Sequence, residues 1–293
     1  MTVAWEWSAT GTRWRIHHGG TIGSETARRA VELVEADEAR WSRFRPDSEV
    51  TRLTRAAGRC VRVSPETFAL LEACVRWRRR SRGVFEPLVG RALSEWGYAR
   101  SLANGRPGVT QQPAPGRVSG EIELDRSTGM ARIPDGSELD VGGIAKGWMA
   151  ARLGSWLARS TADPTLLVDA GGDVLAIRGD HRVAVDHGGG TIATLALRAG
   201  QAIATSGSSA RSWVNGDGTA AHHLIDPVTG APATHGVASV VAADVVTADV
   251  LATVVAIDTT RIARLRRPAL LTRPDGCHST AAWDALAACR QLV

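Results

Sequence analysis

The sequence predicts a mixed α+β fold, and three observations carry that reading. Two strand-like runs, 181–186 and 193–198, flank Gly188-Gly189-Gly190, the composition of a hairpin turn. Strands and helices alternate after residue 137 without the regular order of a βαβ series. Helix-start signals recur along the chain, each followed by apolar residues at helical spacing. With 293 residues, 44% of them hydrophobic, the chain can bury a sizeable core.

In order, residues 11–18 read as a strand. Ser24 can cap a helix that places Ala27, Val31, Val34 and Trp41 on one face. Ser64-Pro65 starts a second helix, with proline at its first position and Phe68, Leu71, Cys74 and Val75 facing inward. The run Arg76, Arg78, Arg79, Arg80 and Arg82 falls on the last turns of that helix, where cations complement the dipole, and Gly83 is its expected cap. The stretch 101–120, rich in Gly, Pro, Gln and Ser, reads as the longest loop or a hairpin tip. Neither side of it holds a complete set of motifs, so residues 1–293 read as a single domain. Beyond it come a strand at 137–141, a helix from about 145 to 159, and strands at 165–169 and 173–178. The hairpin already described follows, then a strand at 238–245. Thr247 is expected to cap a helix over Ala248–Ile257.

The net charge of +5 and pI near 9.6 suit an anionic small ligand. They do not make a nucleic-acid binder, because no basic face carries interleaved aromatics. Cys60, Cys74, Cys277 and Cys289 include no CxxC pair, so zinc and dithiol redox motifs are excluded. The most apolar window, Val237 to Ile257, contains Asp244 and Asp249 and is not a membrane span. The N-terminus has neither the basic nor the apolar region of a signal peptide. A cytoplasmic protein in a reducing environment is the expectation.

Four segments could carry chemistry. Lys146 is the only lysine among 35 basic residues. It stands in Gly142-Gly143-Ile144-Ala145-Lys146-Gly147, paired glycines opening a helix, a layout that suits phosphate or nucleotide. An ammonium is a compact point charge, unlike the planar arginine fork. The second segment, Asp169-Ala170-Gly171-Gly172-Asp173, ends a strand in a glycine pair between carboxylates, equally readable as a tight turn or as a close approach to a ligand. The third runs from Ala204-Thr205-Ser206-Gly207 past Arg211 to His222-His223-Leu224-Ile225-Asp226-Pro227-Val228-Thr229-Gly230. Its Asp-Pro-x-Thr-Gly part alone is a type I turn, but a histidine beside it can move protons near neutral pH. In the fourth, Asp249 and Thr253 lie four residues apart on one face of an apolar helix. A carboxylate and a hydroxyl so placed suit a hard cation such as Mg²⁺; the alternative is that Asp249 serves the helix N-terminus.

Together these segments resemble the FAD:protein FMN transferase (ApbE) family. Gly11-Thr12-x-Trp14, Trp41-Ser42-Arg43-Phe44-Arg45-Pro46-Asp47-Ser48-Glu49 and Gly83-Val84-Phe85-Glu86-Pro87 extend the resemblance over nearly the whole chain. It implies a mixed α+β flavin-transferase (T-fold-like) architecture that uses FAD as substrate and Mg²⁺ as cofactor. FMN would pass to a threonine or serine of an acceptor protein, and AMP would leave. The resemblance makes His223 the base and Lys146 and Asp249 further catalytic groups. It puts Glu86, Gly142, Gly143, Ala145, Lys146, Thr205, Ser206, Gly207, Asp226 and Thr229 along the FAD, and gives the metal the Ala145 carbonyl and the Asp249 and Thr253 side chains. Neither nucleic acid nor membrane is implied as a partner. The sequence departs from the family at Thr54 (usually Asn), Glu86 (Asp), His187 (Pro) and Ser209 (an aromatic). The resemblance implies that these positions face ligand or substrate, so the departures would bear on FAD use more than on the fold. Two other readings use the same residues: an FAD pyrophosphatase with water as acceptor, and an FAD-binding protein without turnover.

Overall fold

The computed structural model describes residues 3–20, 22–101, 116–208, 211–234 and 236–288. The chain opens on a hairpin of β1 (Val3–Ala9) and β2 (Thr12–His18), then enters α1 (Ser24–Trp41). A short helix α2 (Glu49–Arg55) follows, capped by the Ser48 hydroxyl, then β3 (Val61–Arg62). Helix α3 (Pro65–Arg80) has Ser64 as its cap, as expected, and buries Phe68, Leu71 and Cys74. Gly83 is not the terminal cap: Ser81 is, and the Gly83 N–H closes on the Arg78 carbonyl two residues further on. Helix α4 (Gly90–Glu95) and strands β4 (Glu123–Asp125) and β5 (Met130–Arg132) come next. Of the expected loop 101–120, residues 102–115 lie outside the described residues, and 116–120 carry no regular structure.

The expected strand at 137–141 is not one; it makes a single bridge, Val89 with Glu138. Helix α5 (Gly142–Ser160) starts three residues earlier than its apolar pattern suggests. Then come β6 (Leu166–Ala170), β7 (Val174–Arg178), β8 (His181–Asp186), β9 (Thr191–Leu197) and β10 (Ala202–Gly207). The Asp186 carboxylate accepts the Gly188 N–H at 2.6 Å, which fixes the turn of the β8–β9 hairpin. After β11 (Ser212–Val214), β12 (Ala220–His222) and β13 (Val237–Ala242) comes α6 (Val245–Ile257). Its cap is Asp244, whose carboxylate accepts the Thr247 N–H at 2.7 Å, so Thr247 is not the capping residue. A 3₁₀ turn (Thr259–Arg264), β14 (Ala269–Arg273), β15 (Gly276–Ser279) and α7 (Ala281–Ala288) complete the described chain.

These elements form two compact units. The first comprises Met1–Glu35, Lys146–Ala210 and Thr234–Val293; the second, Ala36–Ala145 and Arg211–Ala233. The first is built on an antiparallel eight-stranded sheet ordered β1-β2-β6-β7-β10-β13-β14-β15. Every residue of β13 is buried, because the strand is central and covered on both faces. Helix α6 packs on β10 and β13. On the opposite face, Ile203, Val241 and Leu270 pack with Val185, Leu195 and Leu197 of the β8–β9 hairpin and Trp283 of α7. The second unit holds a three-stranded sheet, β3-β5-β4, and the β11–β12 pair. One of its cores gathers Leu93, Trp96 and Tyr98 with Trp213, Ala221 and Ile225.

Candidate active site

In the first unit, α5 meets α6 and the turn that leads into β7. Lys146 pairs with Asp173, whose side chain is 1% exposed. Burial pushes the Asp173 carboxyl above its ordinary range, and the ammonium beside it pulls the other way. Asp173 was visible in the sequence only as one carboxylate flanking a glycine pair. The signal that could have found it is the single lysine, since a cation placed in an apolar helix needs a buried anion.

One residue further, Gly147 brings α5 onto α6. A β-carbon at Gly147 would stand 2.8 Å from the Asp249 Cβ and 3.0 Å from the Val245 carbonyl, closer than side chains pack. The Gly147 N–H donates to Asp249 Oδ2 at 2.9 Å. Asp249 is thus buried in the second turn of its helix and is not the N-terminal cap, a role Asp244 fills. Thr253, also buried, donates to the Ser206 hydroxyl at 3.3 Å. Asp249 and Thr253 share one helix face, as their spacing requires.

Strand alternation separates the hydroxyls of Thr205 and Ser206. Ser206 turns toward α6, while Thr205 turns to the hairpin side and meets the Ser239 hydroxyl at 2.7 Å. Gly207 ends β10 tight against Val237, 2.7 Å from where a β-carbon would stand.

In the second unit, Asp140 prepares the start of α5. One of its oxygens accepts the Gly142 N–H at 2.7 Å, and the other pairs with Arg43 at 2.7 Å. Arg43 also stacks over Phe44 and Tyr98, with 4.5 and 5.0 Å to the ring centroids. Gly142 is exposed, Gly143 half-buried and Ala145 buried, with the Ala145 N–H on the Val141 carbonyl. Glu86 is buried against Arg78 at 2.5 Å and accepts the Leu88 N–H. Burial raises its carboxyl above the ordinary value, against the pull of Arg78. At the Thr54 departure, the hydroxyl accepts the Leu139 N–H at 3.2 Å, which ties α2 to the segment leading into α5.

The two histidines of this unit differ. His222 is buried, its Nε2 donating to the Ala233 carbonyl and its Nδ1 accepting the Leu224 N–H, so it is a structural ring of fixed tautomer. His223, the next residue, is half-buried. Asp226 and Thr229 bond each other, Thr229 Oγ1 to Asp226 Oδ2 at 3.2 Å, and Asp226 also accepts the Val228 N–H. Their polar groups shape the turn, and Gly230 completes it at φ +71°, where a β-carbon would strike the Gly116 carbonyl. Of the departures, Ser209 lies outside the described residues. Among the described residues no group of three or more His, Cys, Asp or Glu side chains could hold a metal, and no helix is long and apolar enough to cross a membrane.

The chain is similar to known proteins over most of its length. It is 30% identical to the FAD:protein FMN transferase of Treponema pallidum over 234 residues, 71% of this chain and 64% of that protein. It is 27% identical to the protein of the same name in Vibrio cholerae, covering 78% of this chain and 72% of the other. Among solved structures, the ApbE protein of Thermotoga maritima superposes with a TM-score of 0.83 at 25% identity, over 98% of this chain and 99% of that one. The flavinyl transferase ApbE of Pseudomonas stutzeri shares the fold, with a TM-score of 0.80 at 20% identity over 98% and 97%. The sequence pattern of the ApbE family matches residues 10–267, and with the mixed α+β fold just described, the chain belongs to the ApbE family.

Proposed function

We propose that this protein transfers FMN from FAD to a threonine or serine hydroxyl of an acceptor protein and releases AMP. The observation that carries the reading is the cluster on α5 and α6. A lysine paired with a buried carboxylate stands one residue from the glycine that receives a second buried carboxylate, Asp249. Family membership supports it, as do the names of the relatives. The residues fit a magnesium ion, which takes one or two carboxylates and completes its shell with phosphate and water. Asp249 and Thr253 would hold it, with the Ala145 carbonyl that the sequence resemblance adds. Bound there, magnesium supplies charge neutralisation to a pyrophosphate and its leaving group.

The chain's own residues do the rest. His223 takes the proton of the acceptor hydroxyl as its oxygen bonds to the FMN phosphorus; the bond from that phosphorus to the AMP oxygen breaks, and AMP leaves. Lys146 offers its ammonium to phosphate or flavin oxygens, oriented by Asp173. Glu86, Gly142, Gly143, Ser206, Gly207, Asp226, Thr229 and the Thr205 backbone are proposed to border the FAD. Residues 1–293 act as one catalytic domain in this reading. Cys60, Cys74 and Cys277 are free, which suits a reducing compartment, and we place the protein in the cytoplasm.

Incubation with FAD, Mg²⁺ and a candidate acceptor, followed by mass spectrometry, tests this. A flavin phosphoester on the acceptor is the expected product. Free FMN and AMP would make the enzyme a pyrophosphatase, and intact bound FAD would make it a binding protein. His223→Ala is expected to lower transfer about 10²–10⁴-fold while FAD still binds. Transfer at the parental rate would remove His223 from the mechanism.

A further inference from the structure

His187 stands where the family has proline, just after β8, and the structure gives it work on the sheet. Its Nε2 meets the Ser239 hydroxyl at 2.9 Å, and its Nδ1 meets the Thr272 hydroxyl at 2.8 Å. Ser239, fully buried in the centre of β13, meets the Thr205 hydroxyl at 2.7 Å. Thr205 and Ser239 are direct partners in the β10–β13 ladder, so their side chains share the hairpin face. Burial lowers the His187 pKa to about 4, so the ring is neutral near pH 7, with one nitrogen donating and the other accepting. A histidine, the hydroxyls of Ser239 and Thr205, and a third hydroxyl on β14, that of Thr272, thus form a connected chain beneath the sheet.

That chain ends at a residue with a second role. The register that pairs Ile203 with Val174 brings Asp173 beside Ala204 and Thr205. The backbone at Thr205, near the Asp173 carboxylate, favours its charged form. Val174 packs on the hairpin face, so Asp173, one residue before it, turns to the other face, where Lys146 lies. Thr205 therefore serves both faces: its hydroxyl is bound to the His187 chain, and its backbone runs beside the residue that pairs with Lys146.

We propose that His187 is a positioning residue, which by holding Ser239 and through it Thr205 sets the end of β10 against Asp173 and so fixes where the Lys146 ammonium stands. Its importance for catalysis rests on the transferase reading; its effect on Lys146 does not. The single lysine makes a direct test possible. The rate of Lys146 acetylation by acetic anhydride, read by peptide mass spectrometry, reports how firmly the ammonium is held. His187→Phe keeps a ring without hydrogen bonds and is expected to speed Lys146 labelling about fivefold, the factor matching one neutral hydrogen bond's net worth of about 1 kcal/mol. Ser239→Ala is expected to do the same, and His187→Gln, which still reaches a hydroxyl, to restore most of the protection. In an Asp173→Asn background the His187→Phe change is expected to add nothing, whereas a merely structural loosening would add its full effect. Unchanged labelling in the His187→Phe and Ser239→Ala proteins overturns the proposal; if the Phe variant does not fold, Ser239→Ala and His187→Gln decide it. FMN transfer measured on the same proteins is expected to fall in parallel. Labelling that responds while even the parental protein transfers no FMN would retain the positioning role and remove the transferase.

Discussion

Lys146 shows how a single residue reads differently alone and in place. As a lone lysine among arginines, it suggested a point charge free to meet phosphate. In the fold, its ammonium is paired with a carboxylate that burial would otherwise neutralise. Replacing it by arginine keeps the charge but puts a broad fork where a compact head meets the buried Asp173 carboxylate. Lys146→Arg is therefore expected to weaken FAD binding and lower turnover together, about tenfold or more, in fluorescence titration and product assay. Parental values in both would make the lysine an accident of composition. Breaking the pair from the other side is expected to cost stability as well: Asp173→Ala removes the buried anion beside the Lys146 ammonium, visible as a lower denaturation midpoint.

At the scale of elements, helix starts decide where functional side chains sit. Thr247 has the composition of a cap, and so does Asp244, three residues before it. The structure selects Asp244 because the last residue of β13, Ala242, ends the strand only two positions earlier and leaves Asp244 extended. Asp244→Ala is expected to destabilise the protein by about 1 kcal/mol in chemical denaturation, and Thr247→Ala to change it far less. The reverse order would restore the start at Ala248. The earlier start matters for the site: it moves Asp249 from the helix end into the second turn, where the carboxylate faces Gly147. Helices α2 and α4, seven and six residues long, were illegible for another reason. Neither is long enough for an apolar period to repeat, and each is held by what it packs against.

At the scale of the molecule, the polar groups buried in the sheet couple stability to pH. The folded-state pKa of His187 is depressed from 6.5 to about 4, chiefly by burial. As pH falls through that window the unfolded chain binds the proton first, so this contribution to stability is complete above about pH 6.5 and is lost toward pH 4. Burial lowers His17 as well, in the same direction. The melting temperature is expected to drop from pH 7 to pH 4.5, and to drop less steeply in His187→Gln. Equal slopes would mean that the ring is solvated in the folded protein.

The sequence alone determined the α+β class, the strands of the β6–β9 region, the start of α3, and four segments from which the candidate site is drawn. All of these rest on local rules: alternation along a strand, a capping hydroxyl, a glycine-rich turn, or an i, i+4 spacing. It mistook 137–141 for a strand, since an extended apolar run becomes one only when another strand bonds along its length, and here a single bridge forms. It named Thr205 and Ser206 together, and the pleat turns their hydroxyls to different partners, Ser239 and Thr253. Only the tertiary structure decided that Asp173 is the anion for Lys146, that Gly147 is small because Asp249 lies against it, and that His187 is tied to Thr205 through Ser239. Each of these joins residues 18 to 102 positions apart along the chain. Such contacts follow from strand order and helix packing, which no local pattern of residues encodes.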